Sequence, residues 1–175
     1  MEELMQEDTL KQFLPATESW FRKTFGEPTK IQREAWPAIA DGKHVLVSAP
    51  TGTGKTLSAF LVFIDQLGGL AERGELKEEL YVIYVSPLKS LAGDIRENLR
   101  KPLEGIGAEA PGESKPESRP GNPSIGQIQA AIRTGDTPQK ERQRMVKHPP
   151  HILIITPESL YLMLTSKSGR QVLKT

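Results

Sequence analysis

The sequence predicts an α/β fold: an open, largely parallel sheet with helices on its faces. Three observations carry that expectation. Short apolar runs recur along the chain, "HVLVSA" (44–49), "YVIYVS" (81–86), "IGQIQAAIRT" (125–134) and "HILIIT" (151–156). Between them lie stretches whose apolar residues return at helical spacing. The first run also ends in a glycine-rich turn, "APTGTGKT" (49–56), that leads into one of those stretches. Strands alternating with helices imply right-handed crossovers and hence parallel pairing.

Taken in order, the first 23 residues space Leu10, Phe13, Leu14, Trp20 and Phe21 among charges, which reads as one or two short helices. Residues 29–41, "TKIQREAWPAIAD", predict a further helix, interrupted at Pro37 and closed by Gly42. After the glycine-rich turn, Leu57, Phe60, Leu61, Ile64 and Leu67 mark a helix ending at Gly68-Gly69. "YVIYVS" is continuous enough for a strand buried on both faces. The helix after it carries Leu88, Leu91, Ile95, Leu99 and Leu103 on one side. "TPQKERQRMVK" (137–147) predicts a helix with proline in its first turn, and "HILIIT" a strand running straight into "PESLYLML". Residues 107–124 break the pattern. With four Pro, three Gly and three Ser and no apolar periodicity, they predict a flexible loop inserted between a helix and the third strand.

Bulk composition narrows the class. At 175 residues the chain has the size of one domain, with 37% hydrophobic and 26% charged residues and a net charge of +1. No global field announces a nucleic-acid or membrane partner, although a local patch on a neutral protein could still bind one. The absence of cysteine excludes disulfides and thiolate metal sites. The acidic start "MEELMQEDTLKQFL" has no apolar signal segment, and no run of 18 apolar residues offers a membrane span. A cytoplasmic protein without a membrane partner is the expectation.

The chemistry gathers at the glycine-rich turn. Gly54-Lys55-Thr56 matches the ending of a P-loop, with Ala49 where the usual pattern has its first glycine. Gly52 and Gly54, flanked by Thr51 and Thr53, would let backbone N–H groups turn inward on phosphate oxygens. Lys55 would reach the β- and γ-phosphates, and the Thr56 hydroxyl would ligate Mg²⁺. A glutamine at position 32, inside "FGEPTKIQ" (25–32), offers a donor and an acceptor together, which suits the N6/N7 edge of adenine. An exposed helical glutamine behind a Pro-Thr helix start is the plainer alternative. Phe13 is a candidate for stacking on a base, and equally an ordinary core residue.

At this point a resemblance appears. Phe25, Pro28, Thr29, Ile31 and Gln32 resemble the Q-motif of superfamily 2 helicases, with Thr24 standing where DEAD-box proteins have glycine. "SPLKSLAGD" (86–94) resembles motif Ia, "TGD" (134–136) the next strand-end loop, and "TPESL" (156–160) motif Ib. Each follows an apolar run, so all three should emerge at the carboxyl edge of the sheet, where open α/β folds bind ligands. Singly, Ser-Pro-Leu and Thr-Pro-Glu are also good helix starts. In this order and combination, the chain looks most like the large helicase-related (Lhr) family, with superkiller-type and DEAD-box helicases as near relatives.

The resemblance implies the first RecA-like domain of an ATP-dependent motor on single-stranded nucleic acid, some members being linked to DNA repair. By it, Phe25, Gln32 and residues 51–56 hold ATP and Mg²⁺. Pro87, Lys89, Thr134, Gly135, Thr156, Pro157 and Glu158 face a DNA or RNA backbone. Residues 1–42 form the N-terminal helices and Q-motif. The family pattern continues with a D-E-x-H strand and a second RecA-like domain in the same polypeptide. These 175 residues contain neither, so the expectation is a partial domain that binds nucleotide but does not hydrolyse it. Two other readings stay open. One is a small P-loop phosphotransferase with the 107–124 loop as its lid. The other is a non-catalytic nucleotide or nucleic-acid binding module.

Overall fold

The structure is a computed structural model. It describes residues 8–50, 52–87, 89–109 and 127–173, with backbone alone for 89–97. A short 3-10 helix (Thr9–Gln12) and α1 (Pro15–Phe25) lead to α2 (Lys30–Ala40) and α3 (Lys55–Glu72). Then β1 (Val82–Val85), α4 (Lys89–Glu109), β2 (Ala130–Arg133), α5 (Gln139–Lys147), β3 (Ile152–Ile155), α6 (Pro157–Thr165) and α7 (Lys167–Val172) follow. The three strands form one parallel sheet in the order β1-β3-β2. Alternation of strand and helix therefore gives the expected α/β layers.

The sheet divides the core in two because side chains alternate along each strand. Ile152 and Ile154 join Leu99, Ile106, Phe60, Leu61 and Ile64 under α3 and α4. Leu153 and Ile155 point the other way, onto Met145 of α5, Met163 of α6 and Val172 of α7. Only β3, the central strand, is buried on both faces. "YVIYVS" departs from expectation here: Ile83 and Val85 are 41% and 44% exposed. They share register with Leu153 and Ile155, but β1 lies at the sheet margin, beyond the cover of α5, α6 and α7.

Other expectations also change. "HVLVSA" forms no strand; Val45 and Leu46 are exposed, and no described strand lies beside them to complete a ladder. A β-prone run becomes a strand only by pairing. The third strand candidate shrinks to Ala130–Arg133. Helix α2 is not interrupted at Pro37, which sits inside it, one turn from its end. The ring removes one backbone bond there, and Asp41 N–H still reaches the Pro37 carbonyl at 3.0 Å. Gly42, at φ +71°, then closes the helix as expected. Helix α3 runs through Gly68-Gly69 to Glu72, because both glycines are buried against neighbours and packing outweighs their low propensity. Of the expected 107–124 loop, Gly107–Glu109 belong to α4 and the rest lies outside the described residues.

At the amino edge of the sheet, the buried His151 ring accepts the Gln129 N–H on Nδ1 at 2.8 Å. An acceptor nitrogen requires the neutral ring, and burial pushes the pKa of His151 below its ordinary value, with Lys77 and Glu78 opposing. The folded state thus binds this proton less tightly than the unfolded chain. The contribution is complete above the unfolded value of about 6.5 and is lost as pH falls toward the folded one. Urea unfolding between pH 8 and pH 5 should show this decline, and His151→Asn, which keeps an acceptor in place, should flatten it.

Candidate functional site

Thr29 and Gln32 make a reciprocal cap at the start of α2. The Thr29 hydroxyl accepts the Gln32 N–H at 3.3 Å, and the Gln32 Oε1 accepts the Thr29 N–H at 2.9 Å. The same hydroxyl donates to the Thr53 carbonyl at 3.2 Å. The cap therefore touches the glycine-rich loop 24 residues away. Gln32 is 3% exposed, and its Nε2 lies 2.8 Å from where a Cβ on Gly54 would stand. Its amide is thus part of the cap, with one acceptor lone pair and the N–H₂ group left over. The exposed helical glutamine of the plainer reading is not what the fold makes.

The loop has the conformation its glycines permit. Gly52 and Gly54 stand at φ +82° and +86°, in the left-handed region. Gly54 is the N-cap of α3, so Lys55 and Thr56 occupy its first turn. The Lys55 ammonium folds back onto the carbonyls of Ala49 and Pro50. It takes backbone oxygens rather than a carboxylate. Thr51 lies outside the described residues.

These pieces surround one hollow of about 590 Å³. Its walls are the cap residues Thr29 and Gln32, the loop residues Gly52 to Thr56, and Trp20, Thr24 and Phe25 from α1. Phe25 is 53% exposed, its ring 5.6 Å from Trp20 and 5.1 Å from Phe21. An exposed aromatic ring braced by others offers a flat apolar face to this hollow. Phe13 is not one: it is buried, edge-on to Trp36 at 4.9 Å, and belongs to the core. The volume, the phosphate-sized loop and the aromatic wall fit a nucleotide on the observed geometry. The fit to a metal is narrower. Among the described residues no group of three His, Cys, Asp or Glu side chains gathers, and the lining offers a divalent ion the Thr56 hydroxyl and the single carboxylate of Glu27.

The second group of residues lies along the carboxyl edge of the sheet. Val85, Ile155 and Arg133 are in register, which places Ser86-Pro87, Thr156-Pro157-Glu158 and Thr134-Gly135 side by side. Pro87, Gly135, Pro157 and Glu158 are exposed. Two hydroxyls are spoken for. Thr156 is 4% exposed and caps α6, accepting the Ser159 N–H at 3.4 Å and donating to Ser159 Oγ at 3.1 Å. Thr134 accepts the Asp136 N–H at 3.3 Å. Of Lys89, only the backbone is described, at the start of α4.

Several residues escaped the sequence reading. Arg142 donates from Nε to the Thr137 carbonyl at 2.8 Å and from its terminal nitrogen to the Gly135 carbonyl at 2.6 Å. It braces the Thr134–Thr137 turn from within a basic run that reads as a solvated helix face. Asp65 of α3 accepts the Leu14 N–H at 2.9 Å, fixing the start of α1. Burial pushes the Asp65 carboxyl up, against the hydrogen bond from the Leu14 N–H. A lone acid in an apolar helix stripe was its only advance signal.

A family model described as DEAD/DEAH box helicase matches residues 29–175. The ATP-dependent helicase Lhr-Core of Methanothermobacter thermautotrophicus is 48% identical over 161 residues, 92% of this chain and 18% of that protein. The Lhr helicase/uracil glycosylase of Escherichia coli is 44% identical, over 89% of this chain and 10% of that one. The structure of Mycobacterium smegmatis helicase Lhr bound to ssDNA and AMP-PNP superposes with a TM-score of 0.80 and 46% identity, covering 95% of this chain and 19% of that one. The chain thus spans a fifth or less of the length of these relatives.

The two loop glycines separate backbone from contact effects. Alanine at Gly52 meets open space, so Gly52→Ala should cost only the left-handed backbone penalty, about 1–2 kcal/mol. Gly54→Ala adds a collision with Gln32 and should cost distinctly more by chemical denaturation. Equal losses in the two variants would count against the packing of Gln32 on the loop.

Proposed function

Because the chain belongs to the DEAD/DEAH box helicase family, we propose that its hollow binds ATP as the nucleotide-holding part of a nucleic-acid motor. The observation that carries this reading is the joint between the cap and the loop. A phosphate loop alone serves many chemistries. Here the same hollow also presents Gln32 and Phe25, so base and phosphate would be held by one connected unit. The resemblance to Lhr, and the AMP-PNP and ssDNA named with the Mycobacterium smegmatis structure, support it.

In this reading the N–H groups of residues 52–56 and the Lys55 ammonium take the phosphates, Lys55 leaving the Ala49 and Pro50 carbonyls to do so. The Thr56 hydroxyl would hold Mg²⁺, which would neutralise phosphate charge. Gln32 offers its remaining lone pair and N–H₂ group to the adenine edge, and Phe25 packs on the base. Pro87, Lys89, Thr134, Gly135, Thr156, Pro157 and Glu158 line the edge where a DNA or RNA strand would lie. The hydroxyls of Thr134 and Thr156 shape those loops rather than gripping the strand themselves. We place the whole chain within a first RecA-like domain, with α1 and the start of α2 closing the nucleotide side.

The 175 residues contain no Asp-Glu-x-His box. The chain by itself should therefore bind ATP without turning it over, and hydrolysis belongs to the longer proteins it resembles. A kinase reading has less support, since neither the Q-motif cap nor three aligned strand-end loops serve a small phosphate acceptor.

Binding of fluorescent adenine and guanine nucleotides tests the assignment. Lys55→Ala should abolish binding of both. Gln32→Ala should weaken ATP by about tenfold, the equivalent of ~1.4 kcal/mol, while leaving GTP less affected. Preference for GTP in the unaltered chain would refute the adenine reading, and rapid turnover of ATP would refute the division of labour.

A further inference from the structure

A second hollow, of about 560 Å³, opens between the end of β2 and helices α5, α6 and α7. Three cations line it, Arg133, Arg142 and Lys147, and no carboxylate does. Gln139 and Ser168 add neutral hydrogen-bonding groups, and Leu162, 56% exposed, supplies an apolar flank. On a chain with net charge +1, three cations around one concavity are a local concentration rather than an average.

The two arginines do different work. Arg142 is committed to the carbonyls of Gly135 and Thr137, and the Thr137 hydroxyl accepts the Thr134 N–H at 2.8 Å. The turn that forms the rim is therefore fixed before any ligand arrives. Arg133 ends β2 and is half-buried, with a second guanidinium as its charged neighbour. Burial, then Arg142, lower its pKa. A guanidinium held beside another cation in a partly desolvated hollow is stabilised by an anion, and its planar fork matches phosphate oxygens.

We propose that this hollow is a phosphate-binding pocket, in which Arg133 is the contacting cation and Arg142 the residue that positions its rim. Its place gives the ligand class. Thr134 and Gly135 line it and also lie on the sheet edge assigned above to nucleic acid, so the pocket adjoins that edge. The inference rests on that reading and deepens it: one phosphate of the strand leaves the edge and enters the pocket. A free phosphate group has the same chemistry and is the alternative source.

The test uses the 175-residue protein with a single-stranded oligothymidine and with inorganic phosphate. Strand affinity is measured across a salt series, alongside Arg133→Gln, Arg133→Lys and Lys89→Ala, each checked for an unchanged melting temperature. Arg133→Gln should weaken strand binding and reduce the slope of log K against log salt by about 0.7, the value of one lost phosphate contact. Arg133→Lys should restore most of the slope. In amide NMR spectra, displacement of the Gly135 and Ser168 signals by the strand alone identifies a backbone phosphate. Displacement by inorganic phosphate as well, abolished in Arg133→Gln, shows a pocket open to both. The proposal is overturned if Arg133→Gln changes neither slope nor spectra. Should Lys89→Ala still weaken strand binding in that case, the edge reading survives and only the pocket falls. Loss through Arg133→Gln without any effect of Lys89→Ala keeps the pocket and removes Lys89 from the interface.

Discussion

The site depends on one small contact, the Thr29 hydroxyl between the start of α2 and the glycine-rich loop. Its acceptor side closes the helix cap, and its proton goes to the Thr53 carbonyl. The apolar run entering the loop has no described strand beside it, so ladder hydrogen bonds do not hold the loop from below. The cap takes over part of that duty, reinforced by Gln32 packed on Gly54. Loss of an ordinary cap costs about 1 kcal/mol. Here the consequence reaches further, because the cap couples the base wall of the hollow to its phosphate wall. The same cap orients α2, whose Trp36 is fully buried against Phe13 and Phe21. A local hydrogen-bond pair thereby ties the hydrophobic core to the candidate chemistry.

Helix α1 supplies the remaining wall, and three unlike interactions hold it. Asp65 of α3 accepts the N–H of Leu14, the residue that caps α1. Lys23 and Ser19 both reach Glu109 at the end of α4, and together they lower the pKa of that carboxyl. Between them Trp20 presses on Gly105 so closely that a Cβ there would stand 2.0 Å from its Nε1. Only glycine allows that approach. Because α4 also begins at Lys89, beside the sheet edge, the roughly 14–20 Å from its start to Asn98–Pro102 connect that edge to the nucleotide hollow. One rigid element thus touches both regions.

Much of this was legible in the sequence, for reasons that differ by element. "HILIIT" is apolar at every position from Ile152 to Ile155 because the central strand faces a core on both sides, and such a run has few other uses. The Pro-Thr-Lys-Ile-Gln stretch was readable because capping is local: Thr29 and Gln32 need no distant partner to declare themselves. "HVLVSA" misled because strand formation depends on neighbours that sequence pattern does not supply. Pro37 and Gly68-Gly69 misled for the opposite reason, since burial carried both helices past residues that end helices in isolation. Asp65 and Arg142 were missed because each is defined by what the fold brings to it. Nothing local marks an acid as the anchor of a helix 51 residues earlier, or an arginine as the brace of a turn.

The charge distribution makes the same point about function. Net charge of +1 gives no long-range field, yet cations gather locally on this molecule. Lys55 sits at one hollow against carbonyl oxygens; Arg133, Arg142 and Lys147 gather at the other without a carboxylate among the lining residues. Acidic partners are found instead along α1 and α4, where Arg22 pairs with Asp8 and Glu18, and Lys23 with Glu109. Those pairs are partly exposed and add little stability individually. Arg22 also reaches Glu27, which lines the nucleotide hollow, so these pairs cancel charge on that side of the molecule and leave the cations of the second hollow without an acid among its lining residues. A polyanion approaching the carboxyl edge would therefore meet the local cations over the roughly 8–10 Å at which physiological salt leaves a field. Near-neutral composition is compatible with a polyanion-binding edge when cations gather in one hollow beside it, even with the exposed Asp136 and Glu158 on that edge, and it leaves the strength of the edge tunable by single residues such as Arg133.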